Sequence, residues 1–486
     1  MVDIVGRTRE KKELEEAYSS NEAELIAVYG RRRVEKTYLI KNFFQQKKCI
    51  YFQTTGIFKA SLNKQLLRFT KELGNTFYEG ASLQPASNWM EAFEQLTQSV
   101  AKIPKNKKIV VFLDELPWLC TRKSGIIQAL EYFWNRYWSN DNRIKCVLCG
   151  SAASWIIQKI IKNKGGLHNR VTKRLNLKPF DLYETNLYLK HIEYKCTIQQ
   201  VLKLYMVMGG VPFYLKQLKK KESIEDNICR LFFNAESMFF DEFNEVFTSL
   251  FEHSEQHKEI LTLVARYKAG IPRSVLDKEN KLTGKGGRLT KRLLDLEWAG
   301  FISTYIPIGH KKRGVYYRIT DEYCYFYLKW MEPMKTMFLQ NRVTDYWKQI
   351  VDTPAYYAWA GYTFENICYK HILQIKKALN IESYILAAPW WYLPRKEVGE
   401  DGAEIDLVFE RRDDFIICEI KYTSKPFTID KYYATKLNQK TEVFKEKTKT
   451  NKQIFLGLIS AAGIKKNLYS EDLIDKIATL EDLFSK

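Results

Sequence analysis

Residues 24–37, ELIAVYGRRRVEKT, carry the strongest indication of the fold. An apolar, β-branched run comes first, a loop of one glycine and three arginines follows, and Lys36-Thr37 opens a stretch with helical periodicity. A loop that joins a strand to a helix in this way turns backbone N–H groups and the helix N-terminus toward one point, where they favour bound phosphate. The sequence therefore predicts a phosphate-binding loop at 30–37.

The loop follows the Walker A pattern and so predicts ATP and Mg²⁺ as cofactors. We expect Gly30 and Arg33 to lie against the nucleotide, Lys36 to reach the outer phosphates and Thr37 to hold Mg²⁺. Glu35 stands where the pattern has its second glycine. A glutamate adds bulk and negative charge beside a polyphosphate, so we expect ATP affinity to suffer unless a neighbouring arginine neutralises that charge.

A second motif, KIVVFLDE at 108–115, has the form of a Walker B strand. Asp114 at the end of the strand is predicted to orient Mg²⁺, and Glu115 to activate a water against the γ-phosphate. An acidic pair at a strand end also serves as a helix cap. Its position after a Walker-like loop favours the catalytic interpretation.

Two further residues are candidates for sensing the nucleotide. Ser151 ends the apolar run IKCVLCGS, where a polar side chain would face the γ-phosphate, and an ordinary helix N-cap is an equally good interpretation. Arg170 precedes the run KRLNLKP and is predicted as an arginine sensor or finger, with a surface arginine as the alternative. In the first of these runs, Cys146 and Cys149 are expected to pack in the core, because no second cysteine pair completes a zinc site.

The rest of the chain suggests a multidomain α/β protein. Five short apolar runs between helical stretches predict a parallel sheet within 1–180, and helical periodicity over 181–250 predicts a lid. Three short helices and two strands around a basic turn predict a winged helix at 251–320, followed by an aromatic helical connector at 321–350. Helix, strands and helix at 351–486 form the last predicted domain.

Basic side chains of the predicted winged helix are candidates for DNA contact, although many winged helices bind protein surfaces instead. Three lie on the expected recognition helix and three at the tip of the wing. These candidates are Arg288, Lys291, Arg292, Lys311, Lys312 and Arg313.

The C-terminal stretch AEIDLVFERRDDFIICEIKYT contains an acidic residue on one strand and an acid-X-lysine triplet on the next. Asp406 and Glu419 are predicted metal ligands, and Lys421, on the same strand face as Glu419, is predicted to act with it in catalysis. Glu365, on the helix upstream, is a further candidate ligand, and Glu404 shares the face of Asp406. The alternative is an ordinary cross-strand ion pair.

Several motifs together resemble the archaeal-type predicted ATPases of the AAA+ superfamily. They are IVGRTREKKEL at 4–14, GRRRVEKT, the Asp-Glu strand, CGSAASW, the Arg-Val-Thr at 170–172 and GGVPFYL at 209–215. The resemblance covers nearly the entire chain. It implies an AAA+ P-loop domain with a helical lid, a winged helix and a C-terminal PD-(D/E)XK restriction-endonuclease-like domain, and by analogy a homo-oligomer. Glu35 departs from that pattern.

Composition fits a nucleic-acid partner. The 77 lysines and arginines outnumber the 57 acidic residues and give a net charge of +20, which attracts DNA, although a solvated lysine-rich surface explains the charge equally well. No run approaches the ~18 apolar residues of a membrane span, and the nine scattered cysteines are expected to be reduced, so we predict a cytoplasmic protein with no membrane partner.

The leading hypothesis is an AAA+ type ATPase coupled to DNA binding and to Mg²⁺-dependent DNA cleavage. The competing hypothesis is a non-catalytic nucleotide- or DNA-binding protein, in which Glu35 marks a degenerate P-loop.

Overall fold

The computed structural model describes residues 4–121, 124–162, 164–282, 284, 286–310, 314–340, 345–394 and 400–486. Its internal contacts divide the chain into two compact units. The N-terminal unit is Met1–Pro179 with Ser249–Glu252 and Leu294–Gly300, and the C-terminal unit is Phe180–Thr248, His253–Leu293 and Phe301–Lys486.

A five-stranded parallel sheet in the order β2-β3-β4-β1-β5 forms the centre of the N-terminal unit. Its strands are β1 (Glu24–Tyr29), β2 (Cys49–Thr55), β3 (Lys108–Asp114), β4 (Ile144–Gly150) and β5 (Lys173–Asn176). Its helices are α1 (Thr8–Ser19), α2 (Lys36–Gln45), α3 (Leu62–Phe77), α4 (Trp89–Ala101), α5 (Leu116–Leu119), α6 (Ile126–Arg136) and α7 (Ala153–Ile156). The predicted parallel α/β sheet is confirmed.

The sheet separates two hydrophobic cores, because alternate side chains of a strand face opposite sides. On β1, Leu25 and Ala27 belong to one core while Ile26 and Val28 belong to the other. Strands β3 and β4 are buried in the same way, as their near-continuous apolar sequence predicts. The edge strand β5 ends at Asn176, short of the predicted 179; Pro179 has no N–H for a ladder hydrogen bond.

Residues 180–350 are mostly helical. The helices are α8 (Leu182–His191), α9 (Ile198–Met208), α10 (Pro212–Leu215), α11 (Ile224–Phe232), α12 (Glu242–Leu250), α13 (Ser254–Arg266), α14 (Arg273–Glu279), α15 (Gly287–Trp298), α16 (Glu322–Phe326), α17 (Lys335–Leu339) and α18 (Tyr346–Ile350). A small antiparallel sheet has the order β6-β8-β7, with β6 (Ile271–Pro272), β7 (Ile302–Tyr305) and β8 (Tyr316–Ile319). The two strands expected after α15 are present, and β6 is an additional short one.

The C-terminal sheet is mixed, in the order β13-β12-β11-β10-β9. Its strands are β9 (Ala387–Tyr392), β10 (Ala403–Glu410), β11 (Asp414–Lys421), β12 (Gln453–Ser460) and β13 (Lys476–Thr479). Its helices are α19 (Pro354–Lys370), α20 (Ile372–Ala378), α21 (Lys431–Thr448), α22 (Leu468–Leu473) and α23 (Leu480–Leu483). Strand β10 runs antiparallel to its two neighbours, β9 and β11, whereas β12 pairs parallel with β11 and β13 pairs parallel with β12.

Short 3₁₀ turns at Trp138–Asn140 and Glu332–Met334, and π-helical turns at Ile157–Ile161 and Tyr327–Met331, complete the secondary structure of the described ranges. Among the helices of those ranges, none combines the length and the apolar composition that crossing a bilayer takes. Cys146 and Cys149 are both fully buried as free thiols in β4, as the core-packing interpretation predicts.

Candidate functional site

Gly30 follows directly after β1 and begins the loop that leads to α2. Its φ is 149°, and a Cβ on it would lie 2.1 Å from the Leu177 carbonyl oxygen. Real Cβ atoms do not approach a backbone oxygen so closely, so any side chain here would displace the loop from the segment that follows β5. The glycine is therefore required by close backbone packing.

Glu35 is the N-cap residue of α2 and has left-handed backbone torsions, φ 66° and ψ 40°. Arg33 also has a positive φ, of 75°. A non-glycine residue in this region costs roughly 1–2 kcal/mol. The chain thus retains, with glutamate, a conformation that glycine adopts without strain.

Lys36, the first residue of α2, is only 5% exposed. Its Nζ donates hydrogen bonds to the carbonyl oxygens of Gly30, at 3.0 Å, and of Arg31, at 2.9 Å. Burial lowers the pKa of Lys36. Both hydrogen bonds go to neutral oxygens, which satisfy the ammonium without cancelling its charge, so the loop holds a buried cation that fits an anionic ligand.

Thr37 and Asp114 form a pair of oxygen ligands beside this lysine. The Thr37 hydroxyl donates to Asp114 Oδ2 at 2.9 Å, and Thr55 Oγ1 lies 3.5 Å from the same oxygen. Burial, with the neighbouring charge of Glu115, raises the pKa of Asp114. Hydroxyl and carboxylate oxygens suit Mg²⁺, and a dication would offset the cost of the buried carboxylate. These residues therefore fit a nucleotide-bound Mg²⁺.

Glu115 and Ser151, which the sequence placed at the ends of separate strands, are in direct contact. Ser151 donates to the Glu115 carboxylate twice, from its hydroxyl at 2.6 Å and from its backbone N–H at 3.1 Å. The Glu115 side chain makes no capping hydrogen bond to α5, and the N-cap of α7 is Ala152 rather than Ser151. The contacts therefore favour an interaction between Glu115 and Ser151 over a helix-capping role for either residue.

The predicted arginines differ in their surroundings. Arg33 is half-buried within the loop, while Arg170 is exposed, and its backbone N–H closes a turn on the Leu167 carbonyl oxygen. In the described part of the chain, the hydrogen bonds of the site join Lys36, Thr37, Asp114, Glu115 and Ser151 to the loop and to one another, and Arg170 is not among them.

In the C-terminal sheet, Asp406 lies on β10 beside the end of β11. Its Oδ2 accepts a hydrogen bond of 2.7 Å from the Ile420 N–H, and its backbone oxygen accepts one from the Tyr369 hydroxyl of α19. Burial, together with the charge of Glu419, raises the pKa of Asp406 to about 6. The two predicted acids thus lie close enough to affect each other's ionisation.

Glu419 is 5% exposed, and both of its carboxylate oxygens are occupied. Oε2 accepts hydrogen bonds from Lys421 at 2.9 Å and from the Tyr433 hydroxyl at 3.0 Å, and Oε1 accepts one from Lys440. Burial acts to raise the pKa of Glu419, but the two lysines outweigh it and the pKa is lowered. The expected contact between Glu419 and Lys421 on one strand face is present.

Glu365 projects from α19 toward the same region. Burial and the charge of Asp406 raise its pKa to about 8, against the opposing effect of Arg318. Arg318 on β8 is 3% exposed and lies between the rings of Tyr305 and Tyr369, with its Nη1 3.9 Å from the Glu365 carboxylate. The Glu365 carboxyl therefore holds its proton to a higher pH than an ordinary glutamate.

These acids are not arranged as a metal centre. Within the described residues, no group of three or more histidine, cysteine, aspartate or glutamate side chains is placed to hold a metal ion. The lysines and Tyr433 occupy Glu419, the Ile420 N–H occupies one oxygen of Asp406, and Glu404 is exposed. The oxygen ligands have the chemistry that Mg²⁺ prefers, but in this arrangement they do not fit it.

The basic residues proposed for DNA contact differ in exposure. Arg288 and Lys291 on α15 are exposed, whereas Arg292 is half-buried and its Nε donates to Gln256 at 3.0 Å. Lys311, Lys312 and Arg313 lie outside the described residues.

The sequence does not reveal three residues that contact or lie close to the predicted site residues of the C-terminal sheet. Tyr433 and Lys440 come from α21, and Arg318 comes from β8. Lys440 shares one helix face with Tyr433, since seven residues make about two turns. That spacing is a weak signal in a helix with so many lysines.

Comparisons with known proteins identify an ATPase domain in the N-terminal part of the chain. Residues 4–218 match a family described as an ATPase domain predominantly from Archaea, and residues 327–440 match one described as "Archaea bacterial proteins of unknown function". An uncharacterized ATP-binding protein of Methanocaldococcus jannaschii is 50% identical over 48 residues, which are 10% of this chain and 81% of that protein.

Two longer matches are more distant. An uncharacterized protein of the same organism is 23% identical over 427 residues, covering 86% of this chain and 87% of its own length. The solved structure of a Walker-type ATPase of Pyrococcus abyssi is 18% identical, with a TM-score of 0.45, over 67% of this chain and 96% of that one. Residues 4–218, which contain the loop of Gly30 and Lys36 and the Asp114-Glu115 strand end, thus carry an ATPase domain of the family found predominantly in Archaea.

Proposed function

We propose that this protein hydrolyses ATP and couples nucleotide state to DNA binding, with DNA cleavage as a second activity at the C-terminal sheet. The observation that carries the ATPase proposal is the set of hydrogen bonds around Lys36, Thr37, Asp114, Glu115 and Ser151. These residues supply a buried cation, a pair of Mg²⁺-type oxygens and a carboxylate held by a hydroxyl. ATP hydrolysis requires these three kinds of group.

Each residue has a distinct task in this proposal. Lys36 exchanges its bonds to the loop carbonyls for stronger, charge-assisted bonds to phosphate oxygens. Thr37 and Asp114 hold Mg²⁺, which neutralises charge on the outer phosphates when nucleotide is bound. Glu115 accepts a hydrogen bond from the attacking water and orients it.

Ser151 controls the position of Glu115. In this structure its two hydrogen bonds, one to each Glu115 oxygen, hold the carboxylate in place, and each oxygen keeps a lone pair that can accept from a water. A hydroxyl that can turn from Glu115 toward a γ-phosphate would link the presence of ATP to the orientation of that carboxylate. In this proposal Gly30 allows the backbone to approach the nucleotide closely. Arg33 and Arg170 contact the phosphate charge.

DNA is the proposed partner of the C-terminal unit. The net charge of +20 favours a polyanion, and Arg288 and Lys291 offer exposed cations on one helix. Cleavage would use Asp406, Glu419 and Lys421, with Glu365 nearby, once carboxylate oxygens become free for Mg²⁺.

A non-catalytic nucleotide- or DNA-binding protein is the second candidate, and two observations favour it. Glu35 adds a negative charge at the N-cap of α2, where the helix dipole otherwise favours phosphate. At the other site, Glu419 is already neutralised by two lysines.

The first experiment measures ATP binding and phosphate release by the full chain and by two alanine variants. Lys36→Ala should lose nucleotide binding by at least about tenfold, because charge-assisted bonds to phosphate contribute roughly 1.5–3 kcal/mol. Lys41→Ala, an exposed lysine on the same helix, is the matched control. Binding without phosphate release in the unaltered protein would favour the second candidate, and equal binding by both variants would exclude the assigned loop.

DNA binding is tested by the salt dependence of affinity. The double variant Arg288→Ala, Lys291→Ala should lower the salt slope by about one for each phosphate that the variant no longer neutralises, whereas Lys278→Ala, an exposed lysine on α14, should leave the slope unchanged. If cleavage occurs, Lys421→Ala should abolish it, and full cleavage by that variant would remove the nuclease assignment.

A further inference from the structure

Glu419 is bound by a side chain that no motif of the sequence includes. Lys440, from the middle of α21, donates to Oε1 of this carboxylate, and Lys421 and Tyr433 donate to Oε2. The Lys440 side chain is about one-quarter exposed, so its ammonium exchanges part of its hydration for this contact. We call the three donors the Glu419 cage.

The two lysines of the cage carry twice the charge of the one carboxylate that they contact. Two ammonium groups contact Glu419, and a further anion close to them is Asp406, whose ionisation both lysines also favour. Lys421 is fixed by its place on β11, two residues from Glu419, whereas Lys440 reaches the carboxylate from a different element. Lys440 is therefore the member of the cage that can leave without a change in the strand.

A cation that binds a carboxylate oxygen competes with any other cation for it. In this structure Lys440 contacts Oε1 of Glu419, so a divalent ion that bound this oxygen would have to displace the ammonium; the acids of the described residues form no metal-holding group. An ammonium near the site also repels a dication, an effect that is strong at short range inside a protein.

We infer that Lys440 is a built-in competitor of divalent metal at Glu419, and that its departure from Oε1 sets the metal affinity of the C-terminal site. This inference rests on the metal-binding part of the proposed function. Helix α21 thus takes a direct part in the site, because the position of its Lys440 side chain decides whether Glu419 can bind metal. Lys440 acts here as a positioning residue, since it contacts the ligand carboxylate and not the substrate.

The test is a titration of the full chain with Mn²⁺ in the absence of nucleotide. The electron paramagnetic resonance signal of the free ion measures how much Mn²⁺ remains unbound. Lys440→Gln should bind Mn²⁺ at least about tenfold more tightly than the unaltered protein, because a unit positive charge is removed within a few ångströms of a dication. Lys440→Arg retains the charge and should show no tightening.

Two further variants assign the effect. Lys436→Gln makes the same change of charge on the same helix, but its ammonium lies over the Tyr432 ring and not at Glu419, so its Mn²⁺ affinity should be unchanged. Glu419→Gln combined with Lys440→Gln should lose the tight site. Tight binding that survives this double change would come from another site, such as Asp114, and would overturn the inference.

The outcomes separate the inference from the proposal on which it rests. Equal, measurable Mn²⁺ binding by the unaltered protein and Lys440→Gln would overturn the role of Lys440 and leave the proposed metal site standing. Weaker binding by Lys440→Gln would show that the lysine supports the site and would overturn the inference as well. No binding to any of these proteins at millimolar Mn²⁺ would overturn both.

Discussion

Replacing Glu35 by glycine separates two effects that this residue combines, its backbone conformation and its charge. With φ 66° and ψ 40°, Glu35 occupies the left-handed region, which costs a non-glycine residue roughly 1–2 kcal/mol. The extra freedom of glycine in the unfolded chain offsets about 0.4–1 kcal/mol of the gain. We therefore expect Glu35→Gly to stabilise the N-terminal unit by about 1 kcal/mol, or about 2–4 °C in its Tm.

The charge has its own effect on ATP binding. A carboxylate about 8 Å from a phosphate charge, at an effective dielectric constant of about 40, contributes roughly 1 kcal/mol of repulsion, or about fivefold in Kd. Glu35→Ala removes this charge but retains a Cβ in the left-handed region. Both variants should therefore bind ATP more tightly than the unaltered protein, while only Glu35→Gly should be more stable.

Thermal unfolding and titration with a fluorescent ATP analogue measure the two effects in the same samples. Glu35→Gln, which keeps the shape and the strain of glutamate, should match Glu35→Ala in ATP affinity. If Glu35→Gly were no more stable than Glu35→Ala, the left-handed strain would not exist and the loop would follow another path. If affinity rose only with glycine, the side chain's bulk and not its charge would limit nucleotide binding.

Three further predictions concern the sites described above. Gly30→Ala should lower the stability of the N-terminal unit by several kcal/mol in urea unfolding, because its Cβ would lie 2.1 Å from Leu177 O, and unchanged stability would contradict that approach. Ser151→Ala should lower kcat of ATP hydrolysis roughly tenfold with little change in KM, because Glu115 loses a hydrogen bond that contributes about 1–1.5 kcal/mol; a matching rise in KM would assign Ser151 to binding instead. Glu365 binds its proton more tightly in the folded state, where its pKa is raised from 4.5 to about 8, so its contribution to the free energy of unfolding falls as pH rises through that interval. Glu365→Gln should therefore flatten the pH dependence of the free energy of urea unfolding between pH 4.5 and 8. An unaltered slope would refute the pKa shift.

Sequence alone was sufficient where local pattern and burial agree. Strands β1, β3 and β4 were predictable because a parallel strand covered on both faces is apolar at every position. The contact between Glu419 and Lys421 was predictable because alternate residues of a strand share a face. In each case the signal lies within a few consecutive residues.

The remaining features depend on tertiary packing. Only the sheet order places Ser151, at the end of β4, beside Glu115, at the end of β3. Nothing in the lysine-rich sequence of α21 distinguishes Lys440, which contacts Glu419, from Lys436, which does not share that contact. The backbone conformation of Glu35 was likewise hidden, since a glutamate in a loop predicts a negative φ.

Arg318 links β8 to α19, a helix that packs on β11 of the C-terminal sheet, with its guanidinium between Tyr305 and Tyr369 and beside Glu365. A fragment that ended in the connector at 321–350 would leave this guanidinium, now almost fully buried, without its ring on α19 and without its carboxyl partner. The small sheet and the C-terminal sheet are consequently not interchangeable parts. An exchange of either one would have to replace Arg318 and the side chains around it together.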